Sequence, residues 1–126
     1  MSKQKNFGEA SESRFLLDQI ADKWTIVVLS AISPKPAKFN EVRLAAVGIA
    51  HDALTMCLRR LERNGLITKT VLATEPVSTE YAITALGATL VQPFAALTAW
   101  TETNLEAVTH FQLKFDDFQK QRKTSK

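Results

Sequence analysis

One stretch of this chain constrains its fold more than any other: AHDALTMCLRRLERNG, residues 50–65. Leu54, Cys57, Leu58 and Leu61 recur at the spacing that lines one face of an α-helix, while Asp52, Thr55, Met56, Arg59 and Arg63 fall on the other. Asn64-Gly65 then supplies a C-terminal stop of the kind left-handed caps prefer. Such a helix must bury its leucines against neighbours and leave its arginines in solvent. Directly after it come LITKTVLAT and VSTEYAIT, β-branched runs on either side of Glu75-Pro76 that read as a hairpin.

The segments upstream supply the neighbours. Ser11 to Ala21 places Phe15, Leu16, Gln19 and Ile20 at helical spacing behind a serine-rich start. KWTIVVLSAI is short and almost wholly apolar, so periodicity alone allows a buried strand or a buried helix. Ser33-Pro34-Lys35-Pro36 breaks the chain, and Phe39, Val42, Leu44 and Ala45 or Ala46 suit a short helix ending at Gly48. Everything after Leu86 is expected to be helical. Two short helices joined by a tight Gly-containing turn, the second carrying arginines and running into a hairpin, are the parts of a winged helix-turn-helix. In that setting KWTIVVLSAI becomes a helix.

The expected fold is therefore mainly α with a small β-hairpin wing, a winged helix-turn-helix with terminal dimerisation helices. The 126 residues suit a single domain, with 11–84 as the DNA-binding core and 85–120 as a dimerisation helix region. No run approaches the ~18 apolar residues a membrane helix needs. The polar start MSKQKNFGEASES lacks the apolar core of a signal peptide, so a cytoplasmic location and no membrane partner are expected. The lone Cys57 forms no internal disulfide.

Charge sharpens the picture. The net surplus is only +3, but residues 34–71 hold seven bases and three acids: Lys35, Lys38, Arg43, Arg59, Arg60, Arg63 and Lys69 against Glu41, Asp52 and Glu62. A local basic patch on the helix that would enter a major groove is the electrostatic footprint of phosphate binding. An enzyme would need a constellation that is missing. His51, His110 and Cys57 are too few for a typical zinc cluster, there is no phosphate loop or nucleophile elbow, and no metal or cofactor is expected. The rival reading is a winged-helix module for protein-protein interaction and dimerisation that does not bind DNA.

KWTIVVLSAI, then KFNEVRLAAVGIAHDALTMCLRRLERNGLI, then EYAITALGATL and Trp100 resemble the HxlR family of bacterial winged helix-turn-helix regulators, which are MarR-like. The resemblance spans roughly Ser11 to Trp100. Its most specific pieces are Lys23-Trp24, Phe39-Asn40-Glu41, Gly48-Ile49, LRRLERNGLI, and Glu80-Tyr81 with Thr84 and Gly87. It implies a homodimer that binds a palindromic operator in double-stranded DNA, commonly in response to electrophiles, oxidants or other small-molecule effectors. Three positions depart from the family pattern. Ser11 stands where many members carry a redox-sensing cysteine, so the usual thiol switch is not expected. Ala50 replaces a Ser that commonly caps the recognition helix, losing about 1 kcal/mol. The wing, where an Arg often lies near Ser78, has no Lys or Arg between Lys69 and Lys114, so its minor-groove anchoring is expected to be weak.

The candidate DNA contacts are Lys38, Arg43, His51, Thr55, Arg59, Arg63 and Lys69. Arg59 or Arg63 would fork onto guanine O6 and N7 or pair with phosphates, and only the first carries sequence information. His51 reaches a base or phosphate or stays solvated, and Asp52 is better placed as a helix N-terminal charge than as an acceptor from cytosine. Cys57, at i+3 from Leu54, reads as a buried structural thiol, with a redox sensor as the alternative. Trp24 and Trp100 read as core or interface aromatics, or as stacking groups for an effector.

The tail carries a seam. Leu90, Phe94, Leu97, Thr101, Asn104, Val108, Phe111, Phe115 and Phe118 alternate steps of four and three, a heptad pattern whose natural partner is a second copy. The alternative is that the stripe folds back on its own domain. Pro93 is expected to kink this helix or to start a new segment.

Overall fold

The computed structural model describes residues 11–124. The elements run α1 (Glu12–Ile20), α2 (Lys23–Ile32), β1 (Ala37–Lys38), α3 (Phe39–Ala45), α4 (His51–Arg63), β2 (Ile67–Leu72), β3 (Ser78–Ile83), α5 (Ala85–Ala88) and α6 (Val91–Thr124). Most of the polar start that bears on the signal-peptide reading lies outside the described residues. Two compact units divide after Val91.

In the first unit the core is built from the apolar faces expected of α2, α3 and α4. Val28, Leu29 and Ile32 meet Val42 and Ala46 and the inward row Leu54, Cys57, Leu58 and Leu61, all buried. KWTIVVLSAI is indeed helical, spanning α2 from end to end. Its near-continuous apolar character follows from its central position, since a helix covered on several sides has no polar stripe to reveal its period. Ser11 caps α1 by accepting from the Arg14 amide at 3.2 Å, whereas Ala50 gives α4 no side-chain cap.

The end of α4 is sharply defined. Gly65 has φ +76, the Leu66 amide donates to the Leu61 carbonyl, and the Gly65 amide donates to the Glu62 carbonyl. This double closure is a Schellman motif, and its left-handed residue suits glycine. It aims the chain straight into β2.

The wing is larger than the two-strand hairpin expected from sequence. It is a three-stranded antiparallel sheet of order β1-β3-β2, in which Ala37 and Lys38 of β1 pair with Tyr81 and Glu80. A two-residue strand has no alternation to detect, so its pairing partner alone defines it. β2 and β3 pair in register from Ile67 opposite Ile83 to Leu72 opposite Ser78. The region after Leu86 also divides more finely than expected, with α5 separate from α6. Thr84 makes that corner: its hydroxyl donates to the Gly65 carbonyl at 2.6 Å and accepts from the Gly87 amide at 3.0 Å.

The second unit consists of α6 from Gln92 onward. Pro93 sits in the first turn of α6, where its missing N–H leaves no intrahelical bond unmade, so it starts the segment rather than kinking it. With 34 residues the helix is about 51 Å long. Phe94 is buried and Leu90 and Asn104 are partly buried, while Leu97, Thr101, Val108, Phe111, Phe115 and Phe118 remain exposed. The seam's mid-helix polar groups bond their own backbone, Thr101 to the Thr98 carbonyl and Asn104 to the Trp100 carbonyl.

Candidate nucleic-acid interface

The side of α4 opposite its buried leucines carries His51, Asp52, Thr55, Met56, Arg59 and Arg63. All are exposed except Thr55, which is partly buried. Burial of the leucine row fixes the helix rotation, and the rotation fixes where the polar side points. His51 stacks obliquely on Phe39 with ring centroids 5.0 Å apart, which holds the imidazole at the entrance of the helix. Asp52 lies in the first turn with its carboxylate 3.8 Å from His51 Nδ1, the position in which a negative charge stabilises a helix N-terminus. The Thr55 hydroxyl donates to the His51 carbonyl at 3.0 Å, leaving its oxygen lone pairs to accept from a ligand.

Arg59 and Arg63 have no carboxylate partner among the described residues. Together with Arg60 and Gln19 they line a cleft of about 390 Å³. Arg60 behaves differently from its neighbours. It is partly buried and reaches back to the α1–α2 corner, where its terminal nitrogen donates to Asp22 Oδ2 at 3.2 Å. Sequence reasoning counted Arg60 in the basic patch and missed this pairing, because nothing local links residues 38 positions apart.

The other candidate contacts, Lys38, Arg43 and Lys69, occupy three other places. Lys38 is the N-cap residue of α3, its amide donating to Glu41 Oε1 at 2.8 Å. Arg43, exposed in the last turn of α3, lines a groove of about 690 Å³ with Asn40, Leu44, Val47, Gly48 and Ile49. Lys69 is exposed on β2 opposite Tyr81. Beyond it the wing carries Glu75 and the exposed side chains of Val71 and Val77, and no cation until Lys114.

Cys57 faces the core and is only 2% exposed. Burial pushes its thiol above the ordinary value of 9.0, and a hydrogen bond with Thr25 and the Arg60 charge only partly oppose this. The thiolate needed for redox chemistry is thereby disfavoured. Among the described residues no cluster of His, Cys, Asp or Glu could hold a metal ion, and no helix is long and apolar enough to cross a membrane.

Two helices joined by a tight turn, the second presenting exposed arginines and leading into a three-stranded wing, find their counterpart among known proteins. The HxlR-like helix-turn-helix family matches residues 19–109. The chain belongs to this family. Over 102 residues this HxlR-family chain is 29% identical to the Escherichia coli HTH-type transcriptional regulator YtfH, itself uncharacterised, covering 81% of each protein. The solved structure of ytfH from Salmonella typhimurium, described as a transcriptional regulator, superposes with a TM-score of 0.74 at 28% identity, covering 80% of this chain and 90% of that one. The redox regulator HypR in its reduced form superposes with a TM-score of 0.71 at 30% identity, covering 79% and 99%. The named relatives have a regulatory, non-enzymatic role, and this HxlR-family chain shares their winged helix-turn-helix fold.

Proposed function

We propose that this HxlR-family chain is a homodimeric, sequence-specific DNA-binding regulator of transcription that reads a palindromic operator with α4. The observation that carries the reading is the division of α4. Leu54, Leu58 and Leu61 lock it into the core while Arg59 and Arg63 stand in solvent without a carboxylate partner among the described residues. Arg59, Arg63, Thr55 and His51 meet base edges or phosphates, and Lys38, Arg43 and Lys69 flank them as phosphate contacts. Beyond Lys69 the hairpin carries no Lys or Arg, so its tip contributes little and contact is concentrated on the helix-turn-helix and the cations flanking it.

A second copy supplies the partner for the apolar surface of α6, where Leu97, Phe111 and Phe115 are 52%, 68% and 62% exposed. It also covers Phe15, Leu16 and Leu17 of α1. Twofold pairing places two recognition helices about one DNA turn apart, and the joint engagement combines their contacts. HypR is named a redox regulator, which favours an effector response in this chain too. The buried, protonated Cys57 and the serine at position 11 direct that response to a bound molecule rather than to a thiol. Such an effector acts by changing the angle between the two recognition helices through the corner from Thr84 to Leu90.

Fluorescence anisotropy with a random-sequence duplex at two salt concentrations tests the DNA reading. Each phosphate contact adds about 0.9 to the slope of log affinity against log salt, so the five flanking and helix cations give at most about 4.5 per protomer. Salt-independent binding, or none at low salt, favours the protein-interaction module instead.

A further inference from the structure

Arg60 lies between residues of the proposed reading face yet turns away from it. Its guanidinium donates to Asp22 Oδ2 at 3.2 Å and to Thr25 Oγ1 at 3.4 Å. One turn later, at the C-cap of α4, the Asn64 side-chain amide donates to Gln19 Oε1 at 2.8 Å. Gln19 is in the last turn of α1 and Asp22 is the N-cap residue of α2, while Thr25 ties the corner together by donating to the Gln19 carbonyl at 3.4 Å. The four side chains Gln19, Asp22, Arg60 and Asn64 thus make two rungs between α4 and the α1–α2 corner.

What makes the rungs consequential is how little else holds α1. None of its residues is buried, and Phe15, Leu16 and Leu17 are all exposed. Only Ile20, at its end, is even partly buried among the apolar side chains of the helix, so its hydrophobic anchor is small and its orientation leans on polar contacts. Both rungs are partly buried, so water and salt weaken them less than a surface pair. Arg60 keeps this position although its Nε–H is buried without a partner among the described residues, a desolvation cost that a solvent-facing arginine avoids.

We propose that these rungs form a clamp that determines specificity: they fix the tilt of α4 against α1, and through α1 the separation of the two recognition helices. Arg60 and Asn64 are positioning residues that do not touch DNA. The inference rests on the DNA-reading dimer proposed above, with the apolar face of α1 covered by the second copy.

The test uses the full chain, with Arg60→Gln, Asp22→Asn and the reversed pair Asp22→Arg/Arg60→Asp compared against wild type and Arg59→Ala. Duplexes selected by the wild type from a random library are rebuilt with altered half-site spacing, and hydrogen exchange is followed over residues 12–20. The clamp predicts that Arg60→Gln and Asp22→Asn both broaden the accepted spacing and speed exchange in α1, and that the reversed pair partly restores both. It also predicts that Arg60→Gln leaves the salt slope on random duplex unchanged, whereas Arg59→Ala reduces it by about 0.9 per lost phosphate contact. If Arg60 instead gripped a phosphate, Arg60→Gln would lower the slope and Asp22→Asn would tighten binding by removing a competing anion. Either result overturns the clamp, as does normal wild-type binding with unchanged spacing preference in Arg60→Gln. A wild type that binds no duplex overturns the DNA reading itself and this inference with it.

Discussion

Arg59 and Arg60 are adjacent in sequence and opposite in circumstance: one stands exposed without a carboxylate, the other is paired with Asp22. The 100° step between neighbours on a helix is enough to move a guanidinium from the reading face to the flank of the core. Arg59→Ala should weaken operator binding by about 1–3 kcal/mol while the dimer stays intact, and unchanged affinity in an anisotropy titration would remove Arg59 from the interface. Inside the core the consequences concern stability. Leu58→Ala should cost about 2–5 kcal/mol in urea denaturation, because it removes packing beneath the arginines. Cys57 should react with a disulfide reagent far more slowly at pH 7 than in the unfolded chain. Folding raises the pKa of Cys57 and also that of Tyr81, for which burial is the larger cause and Glu62 the smaller. The native state therefore holds these protons more tightly than the unfolded chain does. The stability this contributes is fully present below about pH 9 and declines as pH rises through and beyond it, which urea midpoints at pH 7 and pH 10 would show.

Among the elements, legibility tracked how much of the signal was local. The division of α4 and its Gly65 stop were readable because apolar spacing and cap chemistry lie within one segment. α2 was readable only from its neighbours, since a buried helix and a buried strand share an apolar run. β1 was not readable at all, because Ala37 and Lys38 are a strand only through Tyr81 and Glu80 more than 40 residues later. The Asp22–Arg60 and Gln19–Asn64 pairs escaped for the same reason. Gly87 is a further case: a side chain there would overlap the Leu66 carbonyl and meet Ile83 Cγ1 at 2.9 Å, a close approach invisible in sequence. Gly87→Ala should therefore destabilise the first unit by about 1–3 kcal/mol, since overpacking against backbone forces α5 off the sheet base. A thermal melt equal to wild type would show that the corner yields at no cost.

At the scale of the whole molecule, reading a palindromic operator as proposed takes two copies of the chain. The seam of α6 is legible as a heptad pattern, and the proposed dimer assigns the covering of the exposed Val108, Phe111, Phe115 and Phe118 to a second copy. Phe111→Asp with Phe115→Asp should shift the mass measured by light scattering from twice the 14.0 kDa chain mass to a single chain and weaken duplex binding by abolishing joint engagement. A wild type that remains a single chain at micromolar concentration would contradict the assembly. The most direct measurement is a hydroxyl-radical footprint on a duplex selected by the wild-type protein. Two α4 helices related by a twofold axis predict two equivalent protected patches with centres about 10 base pairs apart, lost together in Arg59→Ala. A single unrepeated patch, or protection that survives removal of the arginines on α4, would contradict the reading.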